Sequence, residues 1–255
     1  MTYKEVLIKA ALKSGRFIKG SVGKIVRISH KGRDNIVTDV DKKAEAMIIK
    51  DIVRAFPEHS ILSEECAPKI GASPYKWIID PIDGTTNFAH AFPFFCVSIG
   101  LEAGGKMLLG AVYDPMRKEL FFAERGKGAY LNDKKISVSK TKKLGDGFLA
   151  TGFSYGMTRK DRNISHFRKL LTRSLAIRRA GSAALDLSYV ACGRFDGFWE
   201  MNLHPWDSAA GMLIVDEAGG RVTRFNKSPY SPYDKDILAT NSRIHNQISS
   251  LLTSK

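Results

Sequence analysis

At 255 residues the chain is long enough for one large domain or for two small ones sharing a core. Its 44% hydrophobic and 26% charged residues are those of an ordinary globular protein, and no apolar run approaches the ~20 residues of a membrane helix, which excludes a helical membrane protein. The net charge of +14 suits nucleic acid, acidic membrane or phosphorylated partners, but the basic residues are dispersed. Their densest clusters are pairs (Lys134-Lys135, Lys142-Lys143, Arg178-Arg179), so a generally basic, solvated surface is the plainer reading.

The amino terminus, MTYKEVLIKAALKSGRF, mixes charges with apolar residues and has no small-residue cleavage site, which argues against a signal peptide. Val6, Leu7, Ala10, Ala11, Ser14, Phe17 and Ile18 recur at helical spacing and predict an amphipathic helix over 3–19, ended by Gly20 and Gly23. The polar HKGRDN stretch at 30–35 reads as a mobile loop. In TDVDKKAEAMIIKDIVRAF, Thr38 or Asp39 caps a second helix with a Val40, Ala44, Met47, Ile48 and Ile52 stripe, which Pro57 closes.

From 77 to 138 the period shortens. The runs WII, FCVSIGLEA, MLLGAVYD, ELFFAER and GAYLN are separated by turn signals and predict an antiparallel meander. After 147 strand and helix alternate: GFLATGF, a helix at 161–173, LAIRR, a helix at 182–192, FDGFWE, a helix at 207–217, RVTRF, DILATN and a last helix. The expectation is an α+β protein with two halves forming one unit. Residues 1–140 carry helices on an antiparallel sheet, and 141–255 alternate α/β on a second sheet, with the seam near SKTKKLGD at 139–146. Three scattered cysteines, Cys66, Cys96 and Cys192, suggest neither disulfides nor a CxxC metal site, and the expected compartment is a reducing cytoplasm.

The chemistry concentrates at IIDPIDGTTNFAH, residues 78–90. Trp77-Ile78-Ile79 reads as a buried strand with Asp80 at its carboxyl end, where open α/β sheets place ligands. Pro81 bends the backbone, so that Asp80, Asp83 and the Ile82 carbonyl can converge, and Gly84-Thr85-Thr86 can open a helix towards an anion. Carboxylates this close repel unless a cation lies between them, and oxygen-only ligands select a hard cation such as Mg²⁺. Taken alone, the segment reads equally as a hairpin turn beside a helix cap. ILSEEC adds Glu64 and Glu65, the latter better read as a solvated turn. HPWDSAAGMLIVDEAGG adds Asp207, which in isolation reads as an N-cap, and TDVD adds Asp39 and Asp41, which also serve as helix-start acids. His90 and His204 lie nearby and read as structural.

In that order, Glu64-Glu65, Asp80-Pro-Ile-Asp-Gly-Thr-Thr86 and Trp206-Asp207 resemble the signature elements of the inositol monophosphatase family, magnesium-dependent and lithium-sensitive phosphatases related to fructose-1,6-bisphosphatases. The similarity runs along essentially the whole chain. It implies a layered α-β-α-β-α sandwich, a homodimer and two Mg²⁺, with a third weaker site leaning on Glu64. Glu64, Asp80 and the Ile82 carbonyl would hold the first ion, and Asp80, Asp83 and Asp207 the second. Thr85 and Glu64 would bind the attacking water, Asp41 would stand behind Thr85, and the 30–35 loop would close over the metals. Substrate contacts would fall on Ile82 to Thr85 (Asp83 and Gly84 between them), on Gly181, Ser182, Ala183 and Glu200, and on Asp207. Ser63 and Ser208 depart from the residues common at their positions, but neither removes a ligand.

The resemblance implies hydrolysis of inositol 1-phosphate. A fructose-1,6-bisphosphatase or broader sugar phosphatase is the alternative, in which Arg178, Arg179 and Arg194 would meet a second phosphate. An RNA or transcription-machinery binding protein, motivated by the charge, ranks below both because no RNP-like aromatic motif or basic helix occurs.

Overall fold

The computed structural model describes residues 1–24, 27–30, 36–153 and 161–254. Helix α1 (Tyr3–Ser21) opens with a Thr2/Glu5 capping box and buries the predicted stripe except for half-buried Phe17, running through Gly20 to Ser21. A hairpin follows, β1 (Ile28–His30) with β2 (Ile36–Thr38). The sequence reading did not anticipate these flanking strands, and residues 31–35 of the expected loop lie outside the described residues. Helix α2 (Asp39–Ala55) has Thr38 as its N-cap, with Asp41 completing a second capping box.

Then come β3 (Ser60–Ser63), β4 (Tyr75–Asp83), the short α3 (Thr85–Ala89), β5 (Cys96–Ala103), β6 (Lys106–Asp114), β7 (Glu119–Glu124), β8 (Gly128–Leu131) and β9 (Lys134–Lys135). They form one seven-stranded sheet in sequence order. Only the β3–β4 pair is parallel; the rest is the expected meander. One expectation is corrected here. β4 does not end at Ile79 but continues through Asp83, with a register shift against β5 between Asp80 and Asp83. Pro81 has no amide proton to give the ladder, so a bulge is where a paired strand can hold it.

The second half contributes β10 (Phe148–Thr151), α4 (Arg162–Leu171), β11 (Ala176–Arg178), α5 (Ala183–Ala191), β12 (Gly197–Met201), α6 (Pro205–Glu217), β13 (Arg221–Thr223), β14 (Asp236–Thr240) and α7 (His245–Thr253). Its sheet has the order β11-β10-β12-β14-β13, parallel across the first three strands and antiparallel beyond. Helices α1 and α2 bury Leu7, Ile48 and Ile52 against Trp77 and Ile79 on one face of the large sheet. Helices α5 and α6 fill the space between the two sheets with Leu187, Leu213 and Ile214. On the far side α4 and α7 cover Leu149 and Trp199 with Leu170 and Ile248. The result is the α-β-α-β-α layering.

Small residues let α6 lie directly on the sheet. A Cβ at Gly110 of β6 would stand 2.7 Å from the Ala210 carbonyl oxygen of α6, which no real contact tolerates. That close approach carries the first turn of α6, and Asp207 with it, to the end of β4.

Candidate active site

Asp80 and Asp83 straddle the Pro81 bulge, which turns both side chains to one place on β4; Asp80 Oδ1 accepts the Ile82 amide at 3.0 Å. Asp207 arrives from α6. Carboxylate oxygens of Asp80, Asp83 and Asp207 lie within 4.8 Å of one another. Asp207 also accepts the His204 amide at 2.7 Å, so it stabilises the start of α6 and joins the acidic cluster at once. The helix begins at Pro205, two residues before the expected start.

Asp83 is held from the other half of the chain. Its Oδ2 accepts the Ser182 hydroxyl and the Ala184 amide, each at 2.7 Å, with the Cys96 thiol at 3.9 Å. Oδ1 receives none of these bonds. Gly84 follows in the left-handed region at φ 99° and opens α3 without a side-chain cap. A Cβ there would meet the carbonyls of Phe94 at 3.0 Å and Gly181 at 3.2 Å. Asn87 clamps the same junction, donating to the carbonyl oxygens of Phe94 at 2.7 Å and Ala180 at 2.8 Å.

Thr85 is buried, and its hydroxyl lies 2.9 Å from Asp41 Oδ1 and 3.0 Å from the Ile82 carbonyl oxygen. Asp41 Oδ2 accepts both the amide and the hydroxyl of Thr38. One turn along α2, buried Glu45 accepts the Ser63 hydroxyl and the Glu65 amide, the latter at 2.9 Å, and so shapes the turn that carries Glu64. Glu65 is half-buried there rather than solvated. Sequence reasoning passed over Glu45. Its spacing of four from Asp41 put two acids on one helix face, and that was the available signal.

A cleft of about 620 Å³ is lined by Glu64, Asp80, Ile82, Asp83, Gly84, Thr85, Gly181, Ser182, Ala183, Glu200 and Asp207. The substrate and metal residues that the family resemblance implied are therefore brought to one place, with Asp41 directly behind Thr85, whereas Asp39 pairs with Lys43 at 2.8 Å. His204 stands at the mouth, exposed and stacked on Trp206 with ring centres 4.8 Å apart; His90 is exposed at the end of α3, outside the cleft lining. Of the three arginines expected near a second phosphate, Arg179 lines the cleft. Arg194 instead forks onto Glu119, with two bonds of 2.6 Å, and Arg178 stacks over Phe148 at 4.8 Å. Asp186, which the sequence reading did not single out, also lines the cleft.

Burial dominates the electrostatics. It pushes the Asp80 carboxyl well above the usual carboxylate range, and the charges of Glu64, Asp83, Asp207 and Asp41 add to that. Asp207 is raised in the same way, by burial and then by Asp83. Asp83 is raised to about 6, burial outweighing the bonds from Ser182 and Ala184. Glu200 is raised to about 8 by burial and then by Asp83, with Arg179 opposing. A cluster so reluctant to carry its charge in the bare protein binds either protons or a cation.

Residues 2–254 match the sequence profile of the inositol monophosphatase family. An inositol-1-monophosphatase of Synechocystis sp. is 46% identical over 98% of this chain and 88% of its own length. A relative named Nus factor SuhB, from Salmonella typhimurium, is 44% identical over 94% of this chain and 91% of its own. Among solved structures, the extragenic suppressor protein suhB of Bartonella henselae superposes with a TM-score of 0.95 at 42% identity, covering 98% of both chains.

Proposed function

The chain belongs to the inositol monophosphatase family, and we propose that it hydrolyses the phosphate monoester of a small polyol, inositol 1-phosphate foremost. The observation that carries this reading is the convergence of Asp80, Asp83 and Asp207 within 4.8 Å, in a cleft that also holds the Asp41-backed Thr85. The donor set fits Mg²⁺: it is all oxygen, rich in charge, and its charge is unstable without a cation. Asp80, Asp83 and Asp207 would hold one ion, and Glu64, Asp80 and the Ile82 carbonyl another, while a third, weaker ion would lean on Glu64. Bound there, Mg²⁺ lowers the pKa of water towards neutrality and draws charge from the phosphoryl oxygens.

The remaining roles fall to the chain. Thr85 has one hydroxyl proton, and giving it to Asp41 Oδ1 at 2.9 Å leaves its oxygen to accept a proton from the attacking water. Glu64 takes the water's other side and fixes its direction of attack. The amides of Gly84 and Thr85, at the opening of α3, offer donors to the phosphate. Ser182 and Ala183 close the opposite wall, and Gly181 supplies the left-handed turn (φ 88°) that brings them there. Glu200 accepts a polyol hydroxyl. Among the described residues the cleft lining holds Arg179 and Lys235 and no cluster of arginines, which suits a monophosphate better than a bisphosphate. The homodimer, lithium sensitivity and cytoplasmic location belong to the same proposal; among the described residues no helix is long and apolar enough to cross a membrane.

A panel of inositol 1-phosphate, fructose 1,6-bisphosphate and β-glycerophosphate, assayed with and without Mg²⁺, tests the reading. Mg²⁺-dependent phosphate release with preference for the cyclitol is expected. No release from any ester would overturn the activity, and preference for the bisphosphate would overturn the substrate.

A second reading is favoured by the relatives named Nus factor SuhB together with the net charge of +14: association with the transcription machinery or its RNA. RNA binding that falls steeply between 50 and 200 mM salt would support it. The absence of any salt-sensitive binding at 50 mM would remove the RNA form of it.

A further inference from the structure

All nine residues of α5 are buried, and Asp186 is its single charged side chain. It is 1% exposed, yet it lines the cleft. Its Oδ1 has no hydrogen-bond partner among the described residues. A buried carboxylate oxygen left unpaired is costly. Lying one turn into the helix, Asp186 recovers a little from the helix dipole, but far less than a bond would give. It stands outside the Asp80–Asp83–Asp207 group, so the metal reading does not account for it.

A second buried acid, Glu200, shares the wall at 7% exposure. Its carboxylate is pressed against the backbone at Gly152, where an added Cβ would come within 2.2 Å of Oε2. The wall therefore fixes that carboxylate by shape. Arg179 lines the same cleft and opposes the loss of charge at both acids.

We infer that Asp186 and Glu200 form a paired acceptor that takes two adjacent hydroxyls of the substrate polyol, which makes Asp186 a specificity-determining residue for vicinal diols. The inference rests on the phosphatase reading and deepens it. Hydroxyl groups are the partners that suit this wall: each donates one proton to an acid oxygen and brings no charge into a buried place. A second phosphate would meet two buried acids there and no buried cation, since Arg179 and Lys235, the described Arg and Lys of the cleft lining, are both exposed. A ring without hydroxyls would leave the open oxygen of Asp186 as unpaired as it is in the free protein.

The test compares kcat/KM for inositol 1-phosphate with that for cyclohexyl phosphate, the same ring without hydroxyls, in the wild type and in Asp186→Asn. The ratio is expected to fall about ten- to hundredfold in the variant, because bonds donated by substrate hydroxyls favour the charged form of Asp186 and an amide cannot take that charge. An unchanged ratio would overturn the inference, as would an equal fall for both esters, which would assign Asp186 to the fold or the metal shell. Should the variant fail to fold, the wild type alone decides. Deoxy-inositol phosphates lacking one member of an adjacent pair should lose at least about tenfold for one pair, and indifference to every pair would overturn the inference. If the wild type hydrolyses no ester, the phosphatase reading has failed. Calorimetry with free inositol, Mg²⁺ and inorganic phosphate then decides: binding at least tenfold weaker in Asp186→Asn supports the paired acceptor, and equal or undetectable binding overturns it.

Discussion

The Ser182 hydroxyl donates to Asp83 Oδ2 at 2.7 Å across 99 residues of chain. The same oxygen of Ser182 caps α5 by accepting the Leu185 amide at 3.4 Å. One small side chain therefore ties the acidic end of β4 to the helix that carries Asp186. Removing it should act on both at once.

Ser182→Ala is expected to cost about 1 kcal/mol of stability, the usual loss for an N-cap. It should also weaken Mg²⁺ activation severalfold, because Asp83 would keep the Ala184 amide but lose its hydroxyl partner. Thermal unfolding and a Mg²⁺ titration of activity measure the two effects. Unchanged Mg²⁺ dependence would separate Ser182 from the acidic cluster.

Asp80→Asn should lower kcat by at least about 10³-fold, as loss of an electrostatic group central to a transition state does. In EDTA the variant should unfold at a higher temperature than the wild type, since one of the mutually repelling acids is gone. Activity within tenfold of wild type would defeat the two-metal assignment.

Metal-free stability should fall as pH rises from 6.5 to about 8. Burial pushes the Glu200 carboxyl up to about 8 in the folded protein, against its ordinary 4.5 in the unfolded chain. Between those values the folded state binds more protons than the unfolded one, so raising the pH destabilises it, and the penalty is complete above about 8. Asp80, Asp186 and Asp207 are raised too and act in the same sense. His245, lowered to about 4, acts in the opposite sense below 6.5, which is why the window starts there. Melting temperatures in EDTA should decline across it, and saturating Mg²⁺ should reduce the decline. A rise with pH in EDTA would contradict the burial of these acids.

Activity should vanish in EDTA and return with Mg²⁺, with Ca²⁺ inhibiting that recovery. Ca²⁺ takes more ligands at longer distances, so it can occupy an oxygen cluster without the octahedral order of Mg²⁺. Turnover in Ca²⁺ equal to that in Mg²⁺ would count against the proposed site.

Gly152→Ala places a methyl where the Glu200 carboxylate now lies, 2.2 Å from Oε2. The clash falls on the end of a side chain rather than on backbone, so the protein should fold with a loss of about 1–3 kcal/mol, the range for an overpacked interior. Displacing Glu200 should lower kcat/KM for inositol 1-phosphate about tenfold or more relative to cyclohexyl phosphate. A ratio matching wild type would mean that Glu200 does not meet the polyol.

The sequence by itself determined the elements and the ingredients of the site. Apolar periodicity marked α1 and α2 because one face of each is buried; the meander, whose central strands are buried on both faces, showed as short apolar runs between turn signals. DPIDGTT taken alone read equally as a turn; its order with the Glu64-Glu65 and Trp206-Asp207 segments is what carried the metal reading. What only the tertiary structure decided is which distant groups meet. The bulge that carries β4 through Pro81 depends on pairing with β5, and the arrival of Asp207 depends on α6 resting on Gly110. Asp207 read alone was an N-cap, and it does stabilise that helix end; its second role required β4 beside it. Arg178 and Arg194 looked like equals of Arg179 until packing gave them Phe148 and Glu119. Asp186 left a faint trace, an acid within an otherwise apolar run. Its open oxygen could not be read from the chain, because hydrogen bonding inside a wall depends on what the fold puts opposite.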